Sequence, residues 1–271
     1  MNRNRMNFIL RIWSKLKIQK LYFPLFVYDR FMSDRRVEKS KPYWDSLKDK
    51  HKGQRGFVIG NGPSLKMDDL ERLKDELTIA SNKIYLAFDQ VSWRPSYFTS
   101  CDKILWPKIR NEVGHYFEKI HLAHNINGIP FDVAGKIRSW RVLSGRLENQ
   151  IPFSSDFSEG AFGGGTVTYE NLQLAVHLGL NPIYIIGCDH FYGGESDISG
   201  DEVLEIKDQQ NHFIKGYRKP GEKVNSANVE KMNRAYQCAR DFADQNEIKI
   251  YNATRGGFLD SFERADFDSI V

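Results

Sequence analysis

Short, continuous apolar runs alternate with longer segments of mixed polarity over most of the chain after residue 56. Such runs are typical of strands that are buried on both faces of a parallel sheet. The clearest of them are residues 57–59, 78–81, 97–102 and 183–187. Leu70, Leu73 and Leu77 follow the first run at helical spacing, and residues 226–246 show the same periodicity. The alternation of strands with amphipathic helices predicts an α/β fold.

The beginning of the chain differs from the rest in charge. Residues 1–36 hold nine Lys and Arg against two Asp, so they carry a charge of +7 in a chain of net charge +4 and leave −3 to the remainder. The pattern predicts a basic amphipathic leader at 1–35, a polar linker at 36–55 with a short helix around Tyr43–Lys50, and a catalytic domain at 56–271. Because the basic charge is concentrated in the leader, nucleic acid is not a predicted partner.

The leader also bears on location. Residues 6–31 interleave aromatic and aliphatic side chains with Lys and Arg. Their longest uncharged run, Leu21 to Tyr28, is too short to span a bilayer, and no signal-peptide cleavage site is recognisable. The stretch can lie at the surface of an anionic membrane, or it can pack on its own domain or on a second subunit. We therefore expect a cytoplasmic protein, with peripheral contact at the inner face of the membrane and homo-oligomer formation as open alternatives. Three widely spaced cysteines suit a reducing compartment.

The first apolar run ends in a glycine turn, Gly60-Asn61-Gly62-Pro63-Ser64, and a helical segment follows it. At the carboxyl end of a parallel strand, such a turn can bind a phosphate-bearing ligand, because glycine lets the backbone approach closely. Asn61 can also donate and accept hydrogen bonds to a base or sugar. The predicted nucleotide contacts here are Gly60, Asn61, Gly62 and Ser64. An ordinary turn is the alternative, since the third glycine of a dinucleotide fingerprint is absent.

Two further polar side chains follow the next predicted strands. Asn82 comes directly after residues 78–81, and Asp102 ends the strand that begins at Tyr97. Each alone is typical of a cap or a turn. Together with Asn61 they predict one nucleotide cleft, because the carboxyl ends of parallel strands meet at one edge of the sheet.

A second glycine-rich stretch, Gly163-Gly164-Gly165-Thr166, opens a helix that ends at Gly179. Backbone N–H groups and hydroxyls at the positive end of a helix favour an anion, so Gly164, Gly165 and Thr166 are predicted nucleotide contacts. The Gly-Lys-Ser/Thr of a P-loop is absent, which argues against a Walker ATPase. Glycines that allow close packing of helix and sheet are the alternative interpretation.

The run at 183–187 leads directly into Asp189, His190, Phe191 and Tyr192. A carboxylate, an imidazole and a phenol that emerge together at a strand end are candidate catalytic groups. His212 begins a later segment that also carries Lys215, Arg218 and Lys219. We expect this basic segment to be mobile and to close over a phosphate-bearing donor.

In combination, these motifs resemble two related protein groups. The motifs are the glycine turn at 59–65, the Ala80-Ser81-Asn82 strand end, the glycine-rich helix ending in Leu178-Gly179, and the segment from Ile183 to Tyr192. One group is the MptE-like family, named for an archaeal 6-hydroxymethylpterin diphosphokinase; the other is the bacterial CMP-sialic-acid sialyltransferases that act on lipooligosaccharide. The resemblance covers about residues 56–255. It implies a Rossmann-like, mostly parallel sheet with helices on both faces, and a nucleotide at the strand ends.

The resemblance also implies roles for individual residues. In the sialyltransferases, the asparagines that correspond to Asn61 and Asn82 contact the cytidine nucleotide, and a Tyr matched by Phe191 or Tyr192 stabilises the departing phosphate. Their general base is the second His of a His-Tyr-x-x-His segment. The matching segment here, residues 212–216, keeps the first His and has glycine in the place of the second. The base would then be His212 or His190.

Three functions follow from this reasoning. The first is a glycosyltransferase of surface glycan biosynthesis that uses a nucleotide-sugar donor, CMP-linked as in the sialyltransferases, on a glycan or glycolipid acceptor and requires no cofactor. The second is an MptE-like diphosphokinase that transfers pyrophosphate from ATP to a hydroxymethyl group such as a pterin's, with Mg²⁺ held by Asp102 and Asp189. The third is a nucleotide-binding scaffold without catalysis.

Overall fold

The computed structural model describes residues 32–126, 129, 131–144, 152–192, 203–205 and 211–271. Eight strands form the central sheet: β1 (Gly56–Ile59), β2 (Leu77–Ser81), β3 (Tyr97–Ser100), β4 (Ile120–Ala123), β5 (Ile137–Trp140), β8 (Ile183–Ile186), β11 (Ile250–Asn252) and β12 (Glu263–Arg264). Two small sheets pair β6 (Val142–Leu143) with β7 (Ala161–Phe162), and β9 (Val203–Glu205) with β10 (Lys223–Asn225).

Six helices pack around these strands in the described part of the chain. They are α1 (residues 32–45), α2 (Met67–Arg72), α3 (Trp106–Tyr116), α4 (Val167–His177), α5 (Val229–Gln245) and α6 (Phe267–Ile270). Short 3-10 turns lie at Ile84–Ala87 and Phe131–Lys136.

The order of strands in the central sheet is β12-β11-β8-β1-β2-β3-β4-β5, and all neighbours in it are parallel. From β1 the chain builds the sheet outward to β5, and from β8 it builds the other half outward to β12. The direction of winding therefore reverses between β1 and β8. In such sheets ligands bind outside the carboxyl ends of the strands at this switch point. The predicted α/β, Rossmann-like, mostly parallel fold is confirmed.

Helix α4 is the most enclosed helix near the switch point. It packs against β1, β2 and β3, and nine of its eleven residues are buried. Thr166 is its N-cap, in an extended conformation, and its side chain accepts a hydrogen bond from the N–H of Thr168. The helix therefore begins at the carboxyl edge of the sheet, and polar residues in its first turn lie in the interior.

One local prediction was wrong. The helix expected around Tyr43–Lys50 instead occupies residues 32–45; the indole of Trp44 near its end donates to the carbonyl of Ser139 at 2.9 Å, which attaches it to β5. At residues 140–143 the end of β5 is followed by β6. The chain changes sheets at Arg141, whose carbonyl accepts the N–H of Ala161.

The leader at residues 6–31 lies outside the described residues. The domain boundaries at residues 35 and 55 stay predictions. Among the helices of the described part, none combines the length and the apolar character needed to cross a bilayer. The three cysteines are free thiols, as expected.

Candidate functional site

A cavity of about 450 Å³ opens at the carboxyl ends of the strands, at the switch point. The predicted site residues that line it are Gly60, Asn61, Gly62, Asn82, Asp102, Gly165, Thr166, Asp189, His190, Phe191, Tyr192 and His212. Neither Ser64 nor Gly164 is among the described residues that line it. The fold thus brings together residues from distant parts of the sequence, as the predicted single cleft requires. Their roles in binding and catalysis stay predictions.

The turns after β1 and β8 pack directly on each other. The N–H groups of Gly60 and Gly62 donate to the carbonyls of Ile186 and Gly187, both at 2.8 Å. A Cβ at position 60 would overlap the carbonyl oxygen of Gly187, and one at position 62 would overlap the carboxylate of Asp189. Glycine is therefore required at both positions by the close approach of the two turns.

Asp189 connects these two turns through its side chain. The hydroxyl of Ser64 donates to Oδ2 of Asp189 at 2.8 Å, and the N–H of Ser64 donates to the carboxylate at 3.2 and 3.3 Å. This explains why Ser64 does not face the cavity. Asp189 lines the cavity, and its carboxylate holds the glycine turn in place.

Asn61 and Asn82 lie side by side at the ends of β1 and β2. The Nδ2 of Asn61 donates to the carbonyl of Ser81 at 3.3 Å, whereas its buried Oδ1 has no hydrogen-bond partner among the described residues. Asn82 adopts a left-handed conformation with φ 59°, which asparagine tolerates better than most residues. Asn61 thus keeps one acceptor available for a ligand in the cavity.

Asp102 follows β3 and begins the turn into α3. Its Oδ1 accepts the N–H groups of Ile104 and Leu105 at 2.8 and 3.0 Å, and the side-chain amide of Asn225 at 3.1 Å. The carboxylate therefore caps a turn and ties β10 to the end of β3, while it also borders the cavity.

The opening of α4 combines two kinds of glycine. A Cβ at Gly164 would lie 2.5 Å from the ring of Tyr169, so this glycine serves close packing, the alternative considered for it. Gly165 has φ +82° and lies on the cavity beside Thr166. The first turn of α4 therefore reaches the cavity with its positive end, the arrangement that favours an anion.

His190 is buried at the cavity with φ 54°. Its Nε2 lies 2.6 Å from Oδ1 of Asn233, which assigns the proton to Nε2 and leaves Nδ1 as an acceptor. That buried Nδ1 has no hydrogen-bond partner in the described part of the chain. Burial lowers the pKa of His190 below its usual 6.5. At neutral pH it is therefore an uncharged imidazole with an available lone pair.

His212 lies in a segment, residues 211–222, that borders the cavity. Its ring stacks on that of Tyr217 with centroids 3.8 Å apart. Burial, together with the charges of Arg218 and Lys83, lowers the pKa of His212 to about 3. The ring is therefore neutral at physiological pH.

The 211–222 segment is attached to the domain at several points. The N–H of Phe213 donates to the carbonyl of Asn61 at 3.1 Å. Lys83 donates to the carbonyl of Tyr217 and lies 3.3 Å from the carboxylate of Glu222, which also pairs with Lys108 at 3.0 Å. The expected closure over a donor stays a prediction; the structure shows the segment held against the ends of β1 and β2.

Sequence reasoning missed several residues that line the cavity: Asn125, Glu170, Ser226 and Lys231. No local pattern identified them. Glu170 occupies the first turn of a helix, where acidic residues are common, and Ser226 lies in the short connection between β10 and α5.

Unpartnered polar atoms concentrate at this cavity. Among the described residues, thirteen buried side-chain nitrogen or oxygen atoms lack a hydrogen-bond partner. Six of them belong to residues that line the cavity: Asn61, Asn125, Glu170, His190, Arg218 and Ser226. Since buried polar atoms in folded proteins are nearly always paired, this concentration is typical of a site built for a polar ligand.

The fold and the site together define a Rossmann-like α/β protein with a ligand cavity at its switch point. The model of the family described as 6-hydroxymethylpterin diphosphokinase MptE-like matches residues 32–195. The match covers more than half of the sequence, and the chain belongs to this MptE-like family. No curated protein is similar enough to the chain to match it.

A solved structure shares the fold. The chain is similar to the MAf glycosyltransferase from Magnetospirillum magneticum AMB-1, with a TM-score of 0.50 and 15% sequence identity. The similarity covers 87% of this chain and 39% of that one, so the chain spans about two fifths of the length of that glycosyltransferase. At this identity the likeness concerns the fold.

Proposed function

We propose that the chain is a glycosyltransferase whose cavity binds a nucleotide-activated sugar, CMP-linked as in the sialyltransferases it resembles, and transfers the sugar to a hydroxyl of a glycan or glycolipid. The observation that carries the proposal is the set of unpartnered buried polar atoms around one switch-point cavity. An unsatisfied buried polar group costs about 1–3 kcal/mol, which a ligand with matching donors and acceptors would recover. A nucleotide-sugar offers many of both.

The donor phosphate is proposed to bind at the opening of α4. Gly165 and Thr166 place backbone N–H groups of the helix start at the cavity. Arg218 and Lys231 line the same cavity and supply positive charge. These groups would stabilise the negative charge that develops on the phosphate as the sugar leaves, with Tyr192 as a further contact.

His212 is proposed as the general base, and His190 takes this role if His212 does not. Both are neutral at physiological pH because burial lowers the pKa of each. In the reaction the base accepts the proton of the acceptor hydroxyl, the hydroxyl oxygen bonds to the sugar carbon, and the bond from that carbon to the phosphate oxygen breaks. A bound phosphate beside His212 would raise its pKa from about 3, which strengthens it as a base.

The family description suggests a second function, transfer of pyrophosphate from ATP. It needs Mg²⁺, and the carboxylates predicted to hold the ion are Asp102 and Asp189. Both oxygens of Asp189 accept hydrogen bonds from Ser64, and Oδ1 of Asp102 accepts three more. In the described residues, no group of three His, Cys, Asp or Glu side chains could hold a metal ion. Mg²⁺ is usually held by one or two carboxylates together with substrate phosphates, so Asp102 and Asp189, which both line the cavity, stay the candidates for holding it in this second function.

The remaining expectations belong to the same proposal. A cytoplasmic location, contact of residues 6–31 with the inner face of a membrane, and self-association are consistent with a glycolipid acceptor. Deletion of residues 1–35 followed by co-sedimentation with anionic liposomes tests the membrane contact. If the deleted protein still co-sediments with the liposomes, the leader does not mediate membrane contact.

The first experiment on function is a thermal-shift screen with CMP, CDP, UDP, GDP and ATP, because a ligand that binds only the native state raises the melting temperature. CMP release from a CMP-sugar in the presence of EDTA and an acceptor glycolipid then measures transfer. We expect His212→Gln to lower transfer by about 10²–10⁴-fold, the usual contribution of a general base. The control is His115→Gln, an exposed histidine on α3.

The outcomes of these assays separate the three functions. Full activity in both His212→Gln and His190→Gln would remove the proposed mechanism. Release of AMP from ATP that requires Mg²⁺ and a hydroxymethyl substrate would favour the diphosphokinase. Nucleotide binding without turnover on any donor would favour the scaffold.

A further inference from the structure

Glu170 is a carboxyl group for which the mechanism above has no role. It lies in the first turn of α4 and borders the cavity. The residue is only 6% exposed. The helix around it packs against the sheet and α5, and nine of its eleven residues are buried. A carboxyl group in such a place needs either a partner or a proton.

Its contacts account for only part of its hydrogen-bonding capacity. The thiol of Cys101, at the end of β3, is hydrogen-bonded to Glu170. Oε2 is buried and has no hydrogen-bond partner anywhere in the described ranges. Burial has the largest effect and raises the pKa of Glu170 to about 8, although a hydrogen bond from the residue's own backbone N–H and the charge of Lys231 on α5 favour the charged form. At neutral pH the residue is an uncharged acid, with one donor to offer.

We propose that Glu170 is a ligand-contacting residue that determines specificity: its neutral carboxyl group donates a hydrogen bond from the wall of the cavity to an oxygen atom of the bound nucleotide. The inference rests on the proposed function, since it assumes that a nucleotide occupies the cavity. The opening of α4 lies within one turn of Glu170. The hydrogen-bond acceptor on the nucleotide is therefore either a phosphate oxygen bound at this opening or an oxygen of the base or the ribose.

The protonation state decides what the residue does to an anionic ligand. A neutral acid donates, whereas a carboxylate accepts only and repels a phosphate across a cavity of low dielectric constant. Binding should therefore weaken as Glu170 ionises.

The charged and titratable groups that face Glu170 come from several elements. Cys101 and Asp102 lie at the end of β3, Lys231 lies on α5, and His190, His212 and Arg218 line the same cavity. The pKa values of both histidines are below 6.5, and burial raises that of Cys101 well above 9.0. None of these three groups therefore loses a proton between pH 7 and pH 9, the interval in which Glu170 does.

The test is the affinity for CMP between pH 6.5 and pH 9.5, measured by titration calorimetry on the full chain. For the wild type we expect a loss of about tenfold across the interval, the equivalent of one hydrogen bond to a charged group. Glu170→Gln keeps a donor and cannot ionise, so its affinity should stay constant with pH. The control Glu112→Gln, at an exposed position of α3, should follow the wild type.

A second arm uses cytidine in place of CMP. If the loss of affinity with pH is seen with CMP alone, the acceptor is a phosphate oxygen; if it is seen with both, the acceptor belongs to the base or the ribose. Infrared difference spectra of wild type and Glu170→Gln at pH 7 should show a protonated carboxyl C=O band that belongs to Glu170 and shifts when CMP binds.

Two different results would overturn the role of Glu170, and only one of them also overturns the proposed function. If CMP and the other nucleotides do not bind the wild type at any pH, both are overturned. If CMP binds and the wild type and Glu170→Gln share one pH profile, or if the infrared band is absent or indifferent to CMP, the role of Glu170 alone is overturned.

Discussion

Two parts of the cavity wall differ in how completely their polar groups are hydrogen-bonded within the protein. The β1–β8 wall (residues 60–64 and 187–189) satisfies most of its groups internally: Asp189 receives hydrogen bonds from Ser64, and the glycine amides donate to carbonyls across the turn. The α4 wall (residues 165–170) contains Glu170, whose Oε2 is unpartnered within the described chain. Both walls carry a buried or half-buried carboxyl group, but only that of the second wall has an oxygen without a partner among the described residues; in the first wall the unpartnered atom is Oδ1 of Asn61.

The comparison shows that a polar residue at a strand end can belong to the scaffold. Asp189 follows a buried strand, the position that suggested catalysis, yet its hydrogen bonds hold a turn together. Glu170 lies within a helix, where no sequence pattern marks it, yet it lines the cavity and its Oε2 has no partner among the described residues. Hydrogen-bond satisfaction separates the two roles better than location in the fold does.

The largest effect is expected where the β1–β8 wall is most tightly packed. Gly60→Ala would place a Cβ on the carbonyl oxygen of Gly187, and the nearest atoms all belong to the backbone of residues 187–188, so no side-chain rotation relieves the overlap. We expect a loss of about 3 kcal/mol in the free energy of unfolding, at the upper end for overpacking. Urea denaturation measures it. Gly135→Ala is the matched control, since a Cβ there meets nothing within 4 Å; equal effects in the two variants would contradict the close packing.

The next largest effect concerns the carboxylate of the β1–β8 wall. Asp189→Ala leaves the N–H and hydroxyl of Ser64 without their acceptor and should cost about 2–3 kcal/mol of unfolding free energy. Asp189→Asn keeps one carbonyl oxygen and should cost less. Chemical denaturation of these variants, alone and combined with Ser64→Ala, gives the coupling energy. Strictly additive losses would mean that the Asp189–Ser64 contact does not hold the turn.

A substitution in the α4 wall should raise the free energy of unfolding relative to the wild type as the pH increases, whereas those in the β1–β8 wall lower it. The pKa of Glu170 is raised from 4.5 to about 8, so the folded state keeps a proton that the unfolded state releases. Its stabilising effect is therefore complete below pH 4.5 and is lost as the pH rises through about 8. Glu170→Gln has no such proton, so we expect its stability relative to the wild type to rise between pH 5 and pH 8.5. Thermal unfolding at the two pH values measures this, and a difference that does not change with pH would contradict it.

The two walls also differ in how well sequence reasoning predicted them. The glycine turn, the opening of α4 and the strand ends each have a local signal, an apolar run followed by glycine or asparagine, and all of them meet at the cavity. Hydrogen-bond partners have no local signal. Ser64 meets Asp189 across 125 residues, and the burial of Glu170 depends on the sheet beneath α4. The sequence could therefore predict where the cavity lies but not which of its polar groups are already paired.

The smallest expected effect concerns the 211–222 segment, which closes part of the cavity between the two walls. Glu222 is almost buried and pairs with Lys83 and Lys108; burial opposes its charge, but the N–H of Lys219 and the two lysines lower its pKa below 4.5. Glu222→Gln should cost about 1 kcal/mol, because it leaves Lys83 partly unpaired in the interior. The loss should be local, so hydrogen exchange of the Phe213 amide, which is bonded to Asn61, should accelerate about fivefold while that of the β1 amides stays unchanged. Glu118→Gln, which removes an exposed partner of Lys136, is the matched control and should leave the exchange rate of Phe213 unaltered. Acceleration throughout β1 would instead mean that the segment and the β1–β8 wall open as one unit.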